Sequence, residues 1–180
     1  MLQWLKARSL LRRKAGEIYG VIVTQARLPA FYAGLGIPDT PVGRYEAVVV
    51  HLFLVLERLR TAGPGAVGLS RAVIEAFVAD MDDYVRQYGS SDVGTAKKVR
   101  RAAAGFYERA AEYRAGLEDP RRLERALAEH VLGNGVNSKR SAALASYVER
   151  VAALLARQSD KALLEGQIEF PAPPVTTEKP

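Results

Sequence analysis

Between Ala47 and Leu56 the chain reads Ala-Val-Val-Val-His-Leu-Phe-Leu-Val-Leu, a run in which His51 is the single polar side chain. Thr40 followed by Pro41 supplies an N-cap and a first-turn proline, so a helix is expected to start there and carry the run. A helix that is apolar nearly all round must be enclosed by other helices. The β-branched valines would also suit a strand. Length and capping decide for the helix, and a bundle around it follows.

The remaining periodicity is helical as well. Trp4, Ala7, Leu11, Ala15 and Ile18 form a stripe over about residues 2–27, which Pro29 ends. Phe31, Tyr32 and Leu35 make a short apolar turn, and Thr61 to Gly68, with Gly63-Pro64-Gly65, reads as a loop. A third helix is expected over about Leu69 to Tyr88, with Val73, Phe77, Met81, Tyr84, Val85 and Tyr88 on one face and Gly89 at its end. Asp92 caps a fourth to about Leu117, with Val99, Ala103, Phe106, Ala110, Tyr113 and Leu117 as its stripe. Asp119-Pro120 opens a fifth that stops at Gly133-Asn134-Gly135, and Ser138 caps a sixth. No alternating strand pattern interrupts these segments. The expected fold is all-α: one bundle of about six helices, with an N-terminal basic helix (1–27), a helical domain (28–160) and a mobile Pro-rich tail (161–180). A chain of 180 residues is one ordinary domain in length.

Composition removes whole classes of chemistry. The absence of cysteine excludes disulfides, Cys-type zinc sites, iron–sulfur clusters and thiol catalysis. No apolar run approaches the ~20 residues of a membrane-spanning helix. His51 and His130 are too few for a His-rich metal site. His51 is expected to be a hydrogen-bonded core residue. His130 ends a helix beside Glu129, where a cation suits the helix dipole. Gly63-Pro64-Gly65 lacks the strand and the Lys-Ser/Thr of a phosphate loop. No catalytic residue, cofactor or metal is assigned, and the chain reads as a binding protein, not an enzyme.

Two charged clusters stand out. In Asp80-Met81-Asp82-Asp83, helical geometry lets Asp80 and Asp83 approach while Asp82 faces away. Asp80 borders the apolar stripe and needs a partner there, an arginine or His51 being the candidates. A divalent-metal enzyme built on Asp80 and Asp83 is the remote alternative to a solvated acidic patch. The basic run Lys97-Lys98-Arg100-Arg101 occupies the first half of helix four, with Glu108 and Glu112 after it. That order opposes the helix dipole. Either the run pairs with Asp80, Asp82 or Asp83, or it meets an external acidic partner.

The net charge of +6 agrees with a partner that is nucleic acid, a ribosomal surface or an anionic membrane face. Lys6, Arg8, Arg12, Arg13 and Lys14 fall in the first fourteen residues without an acid. No apolar core follows, so a signal peptide is ruled out and a transit peptide fits better. Trp4 and Leu11 beside these cations suit either an anionic membrane surface or packing on the bundle.

Several blocks resemble the ubiquinol–cytochrome c chaperone family. They are Leu28-Pro29-Ala30-Phe31-Tyr32-Ala33-Gly34-Leu35-Gly36-Ile37-Pro38-Asp39-Thr40-Pro41-Val42-Gly43-Arg44-Tyr45-Glu46, then His51 to Leu59, Phe77 to Asp82, Arg86, Gly89, Asp92 to Gly94, Lys97 to Val99 and Phe106 to Tyr113. Leu127 to Leu132 and Leu144 to Val148 fit more loosely. The blocks run in the same order and at similar spacing over about residues 28–155. The text after Asp82 and the Gly/Pro-rich loop depart from the family pattern.

The resemblance implies a non-enzymatic chaperone, in a bacterial member, that binds newly made cytochrome b and supports assembly of the cytochrome bc1 complex. It implies a bacterial cytoplasmic location, peripheral on the inner membrane, or the mitochondrial matrix in a eukaryote. It also implies cytochrome b as client and, in mitochondrial members, a contact near the ribosomal tunnel exit; no DNA partner is expected. An apolar groove with a polar rim suits such a client. The candidate client-binding residues are Lys97, Lys98, Arg100, Arg101, Asp80, Met81, Tyr84, Phe106 and Tyr107. The alternative is a basic helical nucleic-acid- or ribosome-binding module.

Overall fold

The computed structural model describes residues 2–87, 92–133 and 138–173, with the side chains of residues 2–4, 83–87, 92–96, 98, 99 and 138 left aside. Among these residues there are seven α-helices and no strand: α1 (Leu2–Ala26), α2 (Pro41–Arg60), α3 (Gly65–Gln87), α4 (Asp92–Leu117), α5 (Pro120–Leu127), α6 (Ser138–Arg157) and α7 (Asp160–Leu164). Single π-helical turns at Ala30–Gly34 and Ala128–Leu132 link α1 to α2 and extend α5.

The apolar run lies where its composition demands. Every residue from Glu46 to Val55 is buried, and α1, α3, α4 and α6 all pack against α2. Thr40 caps α2 by accepting the Gly43 N–H at 3.1 Å, with Pro41 in the first turn. Gly43 itself is needed there. A Cβ at this position would fall 1.9 Å from the Pro38 carbonyl oxygen, where the incoming loop crosses the first turn. Gly116 plays the same part at the α4–α5 corner, where a Cβ would meet the Leu123 Cα at 2.7 Å. Asp119 accepts the Arg121 and Arg122 N–H groups and starts α5 as its Asp-Pro pair predicts.

The N-terminal helix joins the bundle. Ala15, Ile18, Tyr19, Ile22 and Ala26 are buried against α2 and α3, and Leu11 packs at the edge of the core. Residues 5–10 are exposed.

Several boundaries differ from the sequence expectation. α3 begins at Gly65, not Leu69, because Ala66 is buried and draws the supposed loop into a first turn. The fifth helix finishes as a π-helical turn, and Gly133 (φ 76°) ends it. α7 was not expected at all. The Ser159 hydroxyl caps it by accepting the Ala162 N–H. Arg58 of α2 fastens the corner before it, donating to the Leu155 and Gln158 carbonyls and to Asp160. The root of the Pro-rich segment is docked: Ile168 is buried, Phe170 packs on the core, and Gln158 exchanges two hydrogen bonds with the Glu169 backbone. The expected caps at Asp92 and Ser138 and the stops at Tyr88-Gly89 and Asn134-Gly135 lie outside the described residues or side chains.

Candidate functional site

Between α3 and α4 the bundle leaves an open groove of about 310 Å³. Phe53 and Leu59 of α2 and Phe106 of α4 are buried beneath it. Val67, Ser70 and Ile74 of α3 form one wall, and Tyr107, Ala110 and Arg114 of α4 the other. Val67 is 73% exposed and Tyr107 57%, the two most open apolar or aromatic side chains along it. The volume is at the low end for a small-molecule cavity. It suits a few side chains of a larger partner.

Three polar ties hold the α4 wall to α2. The Tyr45 hydroxyl donates to the Ala102 carbonyl at 2.9 Å. Arg109 donates through Nε and Nη2 to the two oxygens of buried Glu46, both at 2.7 Å, and its Nη1 donates to the Gly105 carbonyl. Burial pushes the Glu46 carboxyl above its ordinary pKa against the pull of Arg109. At the groove's end, Glu57 accepts from Arg60 through Nε and Nη2 and from Arg114 through Nε. Burial would raise the Glu57 pKa, but the two guanidinium groups outweigh it and hold it below the ordinary carboxylate value.

The residues singled out in the sequence fall in different places. Phe106 and Tyr107 line the groove. Lys97, Arg100 and Arg101 are exposed on α4 with no ion pair among the described residues, so pairing with Asp80 or Asp82 does not explain them. Met81 packs partly buried against the core. Asp80 takes neither an arginine nor His51 as its partner: the Tyr19 hydroxyl donates to it at 2.8 Å. The side chains of Tyr84 and Lys98 lie outside the described residues, as do Trp4 and Asp83. Groove residues that sequence reasoning missed are Leu56, Glu57, Arg60, Val67, Ile74 and Arg114. For Arg114 a signal was present, since it stands seven residues after Tyr107, on the same helix face.

Both histidines have structural partners. His51 is fully enclosed; its Nδ1–H donates to the Ala47 carbonyl at 2.7 Å and its Nε2 accepts from the Tyr147 hydroxyl at 2.9 Å. Burial lowers its pKa to about 4, so it is neutral at pH 7. Gln25 donates to Tyr147 and to the Pro171 carbonyl, which extends the chain of hydrogen bonds to the docked C-terminal segment. His130 faces Glu112 at 2.7 Å, a partner the helix-end reading did not foresee. Among the described residues no cluster of His, Asp and Glu could hold a metal, and no helix is long and apolar enough to cross a membrane.

A family model described as Ubiquinol-cytochrome C chaperone matches residues 33–170. The match includes every groove residue and runs past Leu155 to the docked Phe170. The crystal structure of the Cbp3 homolog from Brucella abortus is similar, with a TM-score of 0.84 and 32% identity over 95% of this chain and 96% of that one. No curated protein matches the sequence.

Proposed function

This chain belongs to the ubiquinol–cytochrome C chaperone family, and on that premise we propose that it binds newly synthesised cytochrome b and supports its assembly into the cytochrome bc1 complex. Family membership along most of the chain carries the reading. The chemistry supports it. A polytopic membrane protein awaiting assembly exposes apolar helices joined by charged loops. Such a client needs an apolar surface with polar edges, and aromatic and arginine side chains serve that purpose well. The groove with Tyr107 on one wall and Arg60 and Arg114 at its end has this composition. The fold places it on helices tied to one another, which keeps it open without a client.

The exposed cations of α4 favour an acidic partner over an intramolecular one. Lys97, Arg100 and Arg101 would meet that partner on the client's loops or on a ribosomal surface. A membrane contact by α1 has less behind it. Its regular stripe is spent on the bundle from Leu11 onward, and exposed Leu5 and Leu10 point roughly 140° apart around the helix.

Deleting the gene and recording reduced-minus-oxidised spectra of the membranes tests the function. Loss of the b-type haem signal of the bc1 complex, restored by the gene in trans, is expected. Unchanged b-haem and bc1 activity would refute it, and salt-sensitive binding to nucleic acid would then point to the alternative module.

A further inference from the structure

The end of the groove has a built-in preference for charge. Glu57 sits between Arg60 and Arg114 and is 16% exposed, while the two arginines are 61% and 50% exposed. Arg114 uses only its Nε on Glu57, and Arg60 uses Nε and Nη2. Both terminal nitrogens of Arg114 and one of Arg60 therefore remain without a partner among the described residues. Two cations against one anion leave this corner with a net positive charge. One carboxylate thus holds both guanidinium groups and leaves their remaining nitrogens unused by it.

The same polarity continues along the α4 wall. Arg100, Tyr107 and Arg114 are spaced by seven, so they share one helix face over about 21 Å. Ala103 and Ala111 lie between them, leaving low ground on either side of the exposed Tyr107 ring. A partner lying along this wall meets apolar surface at the middle and a cation at each end. A cationic or purely polar segment gains nothing there.

We propose that the α3–α4 groove takes an apolar helical segment bearing a carboxylate at its edge, which seats its side chains over Phe53, Phe106 and Tyr107 and presents the carboxylate to Arg114. A carboxylate accepting two parallel bonds from a guanidinium is the geometry that arginine favours. Glu57 is a positioning residue: it presents Arg114 and does not touch the segment. The inference rests on the chaperone reading for the source of the segment, and the groove's chemistry defines the segment itself.

Two labelled helical peptides of leucine, alanine and glutamine, differing only in one Glu or Gln near the end, serve as probes with the full chain. Fluorescence polarisation is expected to show the Glu peptide bound about tenfold more tightly, the gain of one charge-assisted pair. Arg114→Gln closes that gap, Glu57→Gln narrows it, and Lys97→Gln leaves it unchanged. Tyr107→Arg weakens both peptides. Arg60→Gln, also on the surface, provides a second reading should Arg114→Gln lower the melting temperature. Equal binding of the two peptides, no binding of either, or a gap that survives Arg114→Gln overturns the proposal. If the peptides fail while the deletion strain lacks b-haem, the groove proposal falls and the function stands. If they bind as stated and b-haem is unaffected, the groove stands and the function falls.

Discussion

Arg109 grips Glu46 with two hydrogen bonds of 2.7 Å, and through them α4 is clamped to the most deeply buried helix of the bundle. The pair is closed off from water on the Glu46 side, whose side chain is 3% exposed. Removing the cation therefore leaves a buried carboxyl without its partner. Arg109→Met is expected to cost ~3–5 kcal/mol in urea unfolding. Arg109→Met combined with Glu46→Leu should recover most of that loss, because the penalty belongs to the orphaned charge. A double variant as unstable as the single would contradict this.

The buried histidine gives a pH signature with a definite sign. In the folded protein the His51 pKa is depressed to about 4, against an ordinary 6.5. Between those values the unfolded chain binds the proton and the folded one does not, so stability falls as the pH falls through that window. The loss is up to ~3 kcal/mol by pH 4. His51→Leu should flatten this part of the profile in urea titrations at pH 7, 6 and 5. A slope unchanged by the substitution would assign the effect to other groups.

Two glycines with opposite surroundings make a paired test of the packing. Gly43→Ala drives a methyl group into the Pro38 carbonyl and should cost ~1–3 kcal/mol. Gly20→Ala, in the middle of α1 with nothing within 4 Å, should instead stabilise by up to ~1 kcal/mol. At about 2–4 °C per kcal/mol for a chain of this size, the two melting temperatures move in opposite directions. Equal shifts of one sign would show that the loop before α2 does not press on its first turn.

These elements differ in how openly the sequence announced them. The all-helical bundle followed from Ala47–Leu56 and from the caps at Thr40-Pro41 and Asp119-Pro120, because local periodicity and capping act within a few residues. The corner before the short α7 depends on Arg58, about a hundred positions earlier, and Phe170 docks edge-on against the His51 ring, with centroids 5.4 Å apart; no local pattern reports such contacts. The site was legible only in fragments. Phe106 was legible as part of the α4 stripe, and with Tyr107 it fell in a block that resembles the family. Glu57, Arg60 and Arg114 looked like ordinary surface charges until two helices brought them together. Asp80 was recognisable as a carboxylate in need of a partner, but Tyr19 became that partner through the packing of α1 on α3, which no spacing rule encodes.

The exposed cations of α4 offer a separable prediction. Lys97→Glu with Arg101→Glu leaves every described contact of the core intact, so melting should move by less than about 1 kcal/mol equivalent. Capture of an acidic client or ribosomal surface should fall several-fold at low salt and less at high salt. Undiminished capture by the folded double variant would remove these residues from the interface.

Pulse-labelling growing cells and recovering this chain with whatever it holds tests the central claim most directly. Labelled cytochrome b should dominate the recovered material immediately after the pulse and disappear during the chase as the bc1 complex forms. Recovery of the chain without cytochrome b at any time, from cells that are making it, would contradict the proposed function.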